Sequence, residues 1–163
     1  IRSTEEDRGL LSTHMHTDGK YLKELWVEAP ASKAGYPRIL PEHLDQGKQY
    51  LKMNGREVFR HAVKRFNEVI QEGLIANNLN MQDIDMLILH QANLRITQMI
   101  QKKLNLKNDQ VFSNIHKYGN TTAASIPIAL AEAVNEGKVT KGDLVVFASF
   151  GSGFTWASAV MKW

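Results

Sequence analysis

The chain has 163 residues, 43% hydrophobic and 23% charged, which suits one compact soluble domain with a single core. Its net charge of +3 comes without dense Lys/Arg clusters, so nothing marks a nucleic-acid binder, and no apolar run approaches the ~20 residues of a membrane helix. The absence of cysteine excludes disulfides, thiolate metal sites and a cysteine nucleophile within this chain.

The chain opens at Ile1 and continues through the polar, acidic Glu5, Glu6 and Asp7, unlike a secretory leader. A cytoplasmic location and a place within a longer protein are therefore expected. Gly9 to His16 alternates loosely and ends in Thr17-Asp-Gly19, which reads as a strand and a turn. Residues 27–52 hold three of the four prolines (Pro30, Pro37, Pro41) and little periodicity, and read as a surface excursion.

Asn54-Gly-Arg-Glu57 has the form of a capping box. Val58, Phe59, Ala62, Val63, Phe66, Val69, Ile70 and Leu74 follow at helical spacing, predicting a helix to about Asn77. Asp85 to Leu89 is a short apolar run, suited to a strand buried on both faces. Ile96, Met99, Ile100 and Leu104 mark a second amphipathic helix, and Val111-Phe112 a short strand. Thr121 to Glu136 reads as a third helix ending at Gly137, kinked by Pro127 unless that proline lies in the first turn. Leu144–Phe150 and Phe154–Val160 flank Gly151-Ser-Gly153 and predict a terminal hairpin. The whole implies an α/β fold, a mixed sheet covered by helices.

Ligands of such sheets bind beyond the carboxyl ends of strands. Three segments qualify. His90-Gln-Ala-Asn93 follows the buried strand, where a neutral imidazole can donate to a carbonyl oxygen, or simply cap a helix. Tyr118-Gly-Asn-Thr-Thr122 places Asn120 after a flexible glycine, with a plain helix cap as the simpler role. Phe150-Gly-Ser-Gly-Phe154 offers backbone amides for an oxyanion hole, or an ordinary turn. His14, His16 and Asp18 alternate along one strand; metal ligation is possible by type, and a structural role is the preferred reading.

Taken together, His90-Gln-Ala-Asn-Leu-Arg-Ile96, Tyr118-Gly-Asn-Thr-Thr-Ala-Ala-Ser-Ile-Pro127 and Phe150-Gly-Ser-Gly-Phe-Thr-Trp156 resemble, in order and spacing, blocks of the β-ketoacyl-acyl-carrier-protein synthase III family. Ser12-Thr-His-Met-His-Thr-Asp-Gly19 and Met53-Asn-Gly-Arg-Glu-Val-Phe59 match two further blocks, so the resemblance covers nearly the whole chain. It implies the C-terminal half of a thiolase-like, five-layered αβαβα fold. Residues 1–26 would then be remnant strands of the N-terminal half, lacking sheet partners here, and 53–163 the C-terminal half. The implied activity is an acyltransferase's: condensation of acyl-CoA with malonyl-loaded acyl carrier protein by decarboxylative Claisen chemistry, in fatty-acid synthesis.

By the same resemblance, His90 and Asn120 are catalytic donors to the malonyl thioester oxygen, and the backbone N–H of Ser152 belongs to the oxyanion hole. Gly55, Phe59, Ala92, Asn93 and Phe150 line the CoA/pantetheine passage, although Phe59 fits the core equally well. Arg95, Lys102 and Lys103 share one helix face and dock the carrier protein; without the resemblance they read as a solvated face. The resemblance implies a homodimer, acyl-CoA as substrate, no tightly bound cofactor and no metal. Leu89 and Ser152 stand where proline and glycine are expected. The family's nucleophilic cysteine is absent, so the isolated chain is expected to be inactive and only marginally stable. Two alternatives stay open: another thiolase-fold condensing enzyme, of secondary metabolism, or a carrier-protein-binding half-subunit without chemistry.

Overall fold

A computed structural model describes residues 8–30 and 37–163. Among the described residues, seven strands and five helices follow in order: β1 (Gly9–Thr17), β2 (Leu25–Val27), α1 (Pro41–Asp45), β3 (Leu51–Met53), α2 (Gly55–Ala76), β4 (Met86–Leu89), α3 (Leu94–Leu104), β5 (Val111–Phe112), α4 (Ile115–Tyr118), α5 (Ser125–Asn135), β6 (Leu144–Gly151) and β7 (Thr155–Lys162). Short 3-10 turns lie among them, one at Thr122–Ala124.

Five strands form one mixed sheet in the order β1-β7-β6-β4-β5. β4 runs parallel to β5 and β6, while β7 is antiparallel to both neighbours. Alternate residues of β4 and β6 serve two cores. Leu87, Leu89, Val146 and Ala148 meet α2 and α3 on one face. Met86, Ile88 and Val145 meet Ala129 and Ala133 of α5 on the other. The apolar run at 85–89 is thus buried on both sides, as its composition predicts, and each large side chain buried this way contributes about 1.5–3 kcal/mol.

The long helix fits its pattern: Ala62, Val63, Phe66, Val69, Ile70 and Leu74 are buried. Only half of the expected capping box forms. Asn54 accepts from the Glu57 N–H, but its own N–H already donates to Glu24 O at 2.8 Å. The Glu57 carboxylate therefore turns to Arg60 instead. The third helix starts later than expected, at Ser125, because Thr122 takes a positive φ of 53° and a 3-10 turn intervenes. Pro127 consequently sits in the first turn, where its missing N–H costs nothing.

One expectation needs correction. Residues 9–17 do not lack a sheet partner: β1 pairs antiparallel with β7 from Gly9↔Lys162 to Thr17↔Thr155. The eight-residue β7 presents hydrogen-bonding groups on both sides, and β6 satisfies only one of them. The excursion at residues 27–52 is anchored among its described residues. An antiparallel ribbon, Leu25↔Met53 to Val27↔Leu51, closes its base, and the buried Ala29 donates to Lys48 O at 3.1 Å.

Candidate active site

His90 follows β4 directly. Its N–H donates to Ala148 O of β6 at 2.9 Å, which continues the parallel ladder one step past the strand. Gln91, 1% exposed, then turns the chain: its Nε2 donates to Leu89 O at 2.6 Å and its N–H to Ser125 Oγ at 3.2 Å. This turn leaves the His90 ring half-buried, with Nδ1 2.6 Å from Ser125 Oγ at the start of α5. Burial pushes the imidazole pKa below the ordinary histidine value, so the ring is neutral near pH 7.

Asn120 comes from the segment between β5 and α5, after Gly119 at φ +67°. Its Oδ1 accepts from the Thr122 N–H at 2.9 Å. A backbone N–H can only donate, so the oxygen must face it and the side-chain NH2 is left free to donate elsewhere. Two buried or half-buried groups brace the segment leading to Asn120. Gln91 Oε1 accepts from Ser113 Oγ at 2.7 Å and from the Asn114 N–H at 3.2 Å. Glu132 of α5 accepts from Asn114 Nδ2 at 2.7 Å, Lys117 Nζ at 2.8 Å and Tyr118 OH at 3.0 Å. The bonds from Lys117 and Asn114 hold the Glu132 carboxyl down to a pKa of about 2. Gln91 therefore ties the His90 turn to the strand-end segment that delivers Asn120.

The third segment is the β6–β7 turn. Ser152 Oγ donates to Leu25 O at 2.6 Å, anchoring the turn to β2. Ser152 is not among the positive-φ residues, so a side chain is tolerated where glycine was expected. Gly153 at φ +135° is different, since a Cβ there would lie 2.6 Å from Thr155 Oγ1 and 2.9 Å from Thr155 N.

The profile of the family described as "3-Oxoacyl-[acyl-carrier-protein (ACP)] synthase III C terminal" matches residues 74–163. The chain belongs to the 3-oxoacyl-acyl-carrier-protein synthase III family. It is 44% identical over 163 residues to the β-ketoacyl-acyl-carrier-protein synthase III of Roseiflexus castenholzii, covering all of this chain and 48% of that protein. The crystal structure of the Thermus thermophilus synthase III superposes with a TM-score of 0.86 at 38% identity, over 100% of this chain and 49% of the other. A priming β-ketosynthase of the R1128 polyketide pathway superposes at 0.80 with 30% identity, over 94% and 45%. The chain spans about half the length of the curated relatives it matches.

The remaining expected site residues of this synthase III chain fall in different settings. Gly55 opens α2, and a Cβ built there meets nothing within 4 Å. Phe59, one turn on, packs half-buried against the larger core. Ala92 and Asn93 are exposed before α3, and Asn93 Oδ1 caps that helix by accepting from the Arg95 N–H at 2.9 Å. Phe150 is only 6% exposed and packs in the core, its ring 4.8 Å from Phe154 and 6.4 Å from Phe66. Arg95, Lys102 and Lys103 are exposed on α3, away from its buried Ile96, Ile100 and Leu104.

His14 and His16 do not converge with Asp18. They share Glu72 of α2, at 3.4 and 2.6 Å, while Asp18 accepts from the Lys20 N–H. Sequence reasoning missed Gln91, Ser125 and Glu132 as parts of the site. Ser125 was legible only as a small residue and Glu132 only as a helix residue; their partners lie 14 to 35 positions away.

Proposed function

We propose that this chain is the C-terminal portion of a 3-oxoacyl-acyl-carrier-protein synthase III. In this reading an acyl group arrives from acyl-CoA and is carried on a cysteine outside this chain. Malonyl-acyl-carrier protein loses carbon dioxide, and the α-carbon left behind forms a bond to the acyl carbonyl and releases the cysteine thiolate. His90 and Asn120 hold the malonyl thioester oxygen as it gains charge.

One observation carries the reading: both side chains are fixed on their inner side and each keeps a nitrogen on the other. Asn120 spends its oxygen on Thr122, and His90 is kept neutral with Nδ1 against Ser125. Donors pre-aimed at an oxygen that gains charge stabilise the transition state more than the ground state. The Ser152 backbone N–H would join the acyl-enzyme oxyanion hole.

Pantetheine would pass Gly55, Phe59, Ala92 and Asn93, with Phe150 supporting the passage from behind. Arg95, Lys102 and Lys103 would face the acidic carrier protein. We place the whole protein in the cytoplasm as a homodimer with no tightly bound cofactor, residues 53–163 forming its C-terminal thiolase-like half.

The test is the conversion of acetyl-CoA and malonyl-carrier protein to acetoacetyl-carrier protein. The full-length gene product should catalyse it and this chain alone should not. Turnover by the isolated chain would sink the need for an outside cysteine. A second reading, priming of a polyketide rather than a fatty acid, is favoured by the likeness to the R1128 ketosynthase. A full-length product that rejects acetyl-CoA but accepts a larger primer would support it.

A further inference from the structure

Ser125 was given no task of its own in the function proposed above, yet its hydroxyl faces the proposed catalytic ring. It is 2% exposed, so bulk water does not reach it. Its oxygen has two neighbours: the Gln91 N–H at 3.2 Å and His90 Nδ1 at 2.6 Å. The Gln91 N–H can only donate, and it takes one lone pair of the hydroxyl.

The hydroxyl has a single proton to place. Leaving a buried donor unmade costs about 1–3 kcal/mol. Among the described residues, His90 Nδ1 is the one acceptor set beside it. A neutral imidazole carries one proton, on one nitrogen. If Nδ1 accepts from Ser125, that proton must sit on Nε2, at the far side of the ring. The opposite tautomer would make Oγ accept twice and leave the serine proton without an acceptor. It would also place a lone pair on Nε2, which repels rather than stabilises a developing oxyanion.

We propose that Ser125 is a positioning residue that holds His90 in its Nε2–H form, so that the ring faces the substrate as a donor. This rests on the reading of His90 as a donor to the thioester oxygen. The serine is well placed for the task. As the first residue of α5 it is held by the helix, and the Gln91 N–H fixes its oxygen from a second direction. The same helix braces the Asn120 segment through Glu132, so one element sets both donors.

The test needs no variant at first. Histidine ring nitrogens of the full-length gene product are labelled with 15N, and the His90 signals are assigned by their loss in His90→Gln. Near neutral pH the account requires a protonated Nε2 and a bare, accepting Nδ1. A proton on Nδ1 overturns the proposal.

Ser125→Ala should then turn the ring into a mixture of tautomers. It should lower kcat for malonyl-carrier decarboxylation by about 10- to 100-fold, in line with losing a partner that orients a functional histidine, with KM little changed. Ser125→Thr, which keeps the hydroxyl, should recover the Nε2–H signature. A Ser125→Ala protein with an unaltered His90 spectrum and full kcat also overturns the proposal. If decarboxylation survives in His90→Gln while the wild-type ring is Nε2–H, then the catalytic reading fails and the tautomer assignment stands.

Discussion

Gly73 sets how closely the long helix can approach the sheet. It lies in α2 among buried residues and faces β7. A Cβ added there would stand 3.0 Å from Val160 Cγ2 and 3.1 Å from Ser158 Oγ. Favourable contacts between carbons lie at about 3.5–4.0 Å, so both neighbours would have to give way. Neither is free to do so. Val160 is fully buried on a strand paired on both sides, and Ser158 Oγ donates to Val69 O at 2.7 Å. Alanine would gain about 1 kcal/mol of helix propensity over glycine. Overpacking a rigid site costs about 1–3 kcal/mol. With a mid-range cost, Gly73→Ala should be about 1 kcal/mol less stable, which for a protein of this size or larger lowers Tm by roughly 2–4 °C. Gly55→Ala is the control, because its Cβ meets open space and should not lower Tm. Thermal unfolding followed by circular dichroism reads both. A Gly73→Ala protein more stable than wild type would refute the close-packing argument.

Acid should act on the brace around Asn120. The Glu132 carboxyl is held at about 2 against an ordinary 4.5. A depressed folded-state pKa means stability that is complete above pH 4.5 and lost as pH falls toward 2. Glu132→Gln should therefore unfold more easily than wild type near neutral pH, and the difference should shrink across that window; a constant difference down to pH 2 would contradict it. Reversing Arg95, Lys102 and Lys103 to glutamate should raise KM for the carrier protein by about tenfold or more at low salt, with kcat and folding unchanged. Added salt should narrow the gap between variant and wild type. An unchanged KM would return this face to plain solvation.

Elements with strong local signals were legible in the sequence. The apolar run at 85–89, the stripe of α2 and the glycine turn between β6 and β7 carry their structure in periodicity and composition. The strands β2 and β3 were not legible, because three-residue strands make no period and are held by pairing across the excursion. Nor could the partner of β1 be read, since it lies at the other end of the chain. The same division holds at the site. His90 and Asn120 stood out as candidates because each follows a recognisable break, a strand end or a glycine, but only the family resemblance gave them catalytic roles. Ser125, Gln91 and Glu132 act by satisfying polar groups across the fold, a property of tertiary placement that no local pattern records. Phe150 shows the reverse: motif reading offers it to the ligand passage, while its neighbours Phe66 and Phe154 bury it.

The most direct test of the account is malonyl-carrier decarboxylation by the full-length gene product with His90→Ala or Asn120→Ala. On the proposed roles each change removes one donor to the thioester oxygen, so the rate should fall by about 100- to 1000-fold. Transfer of the acyl group from acyl-CoA to the enzyme should persist. Decarboxylation at the wild-type rate in either variant would contradict the assignment of these two residues.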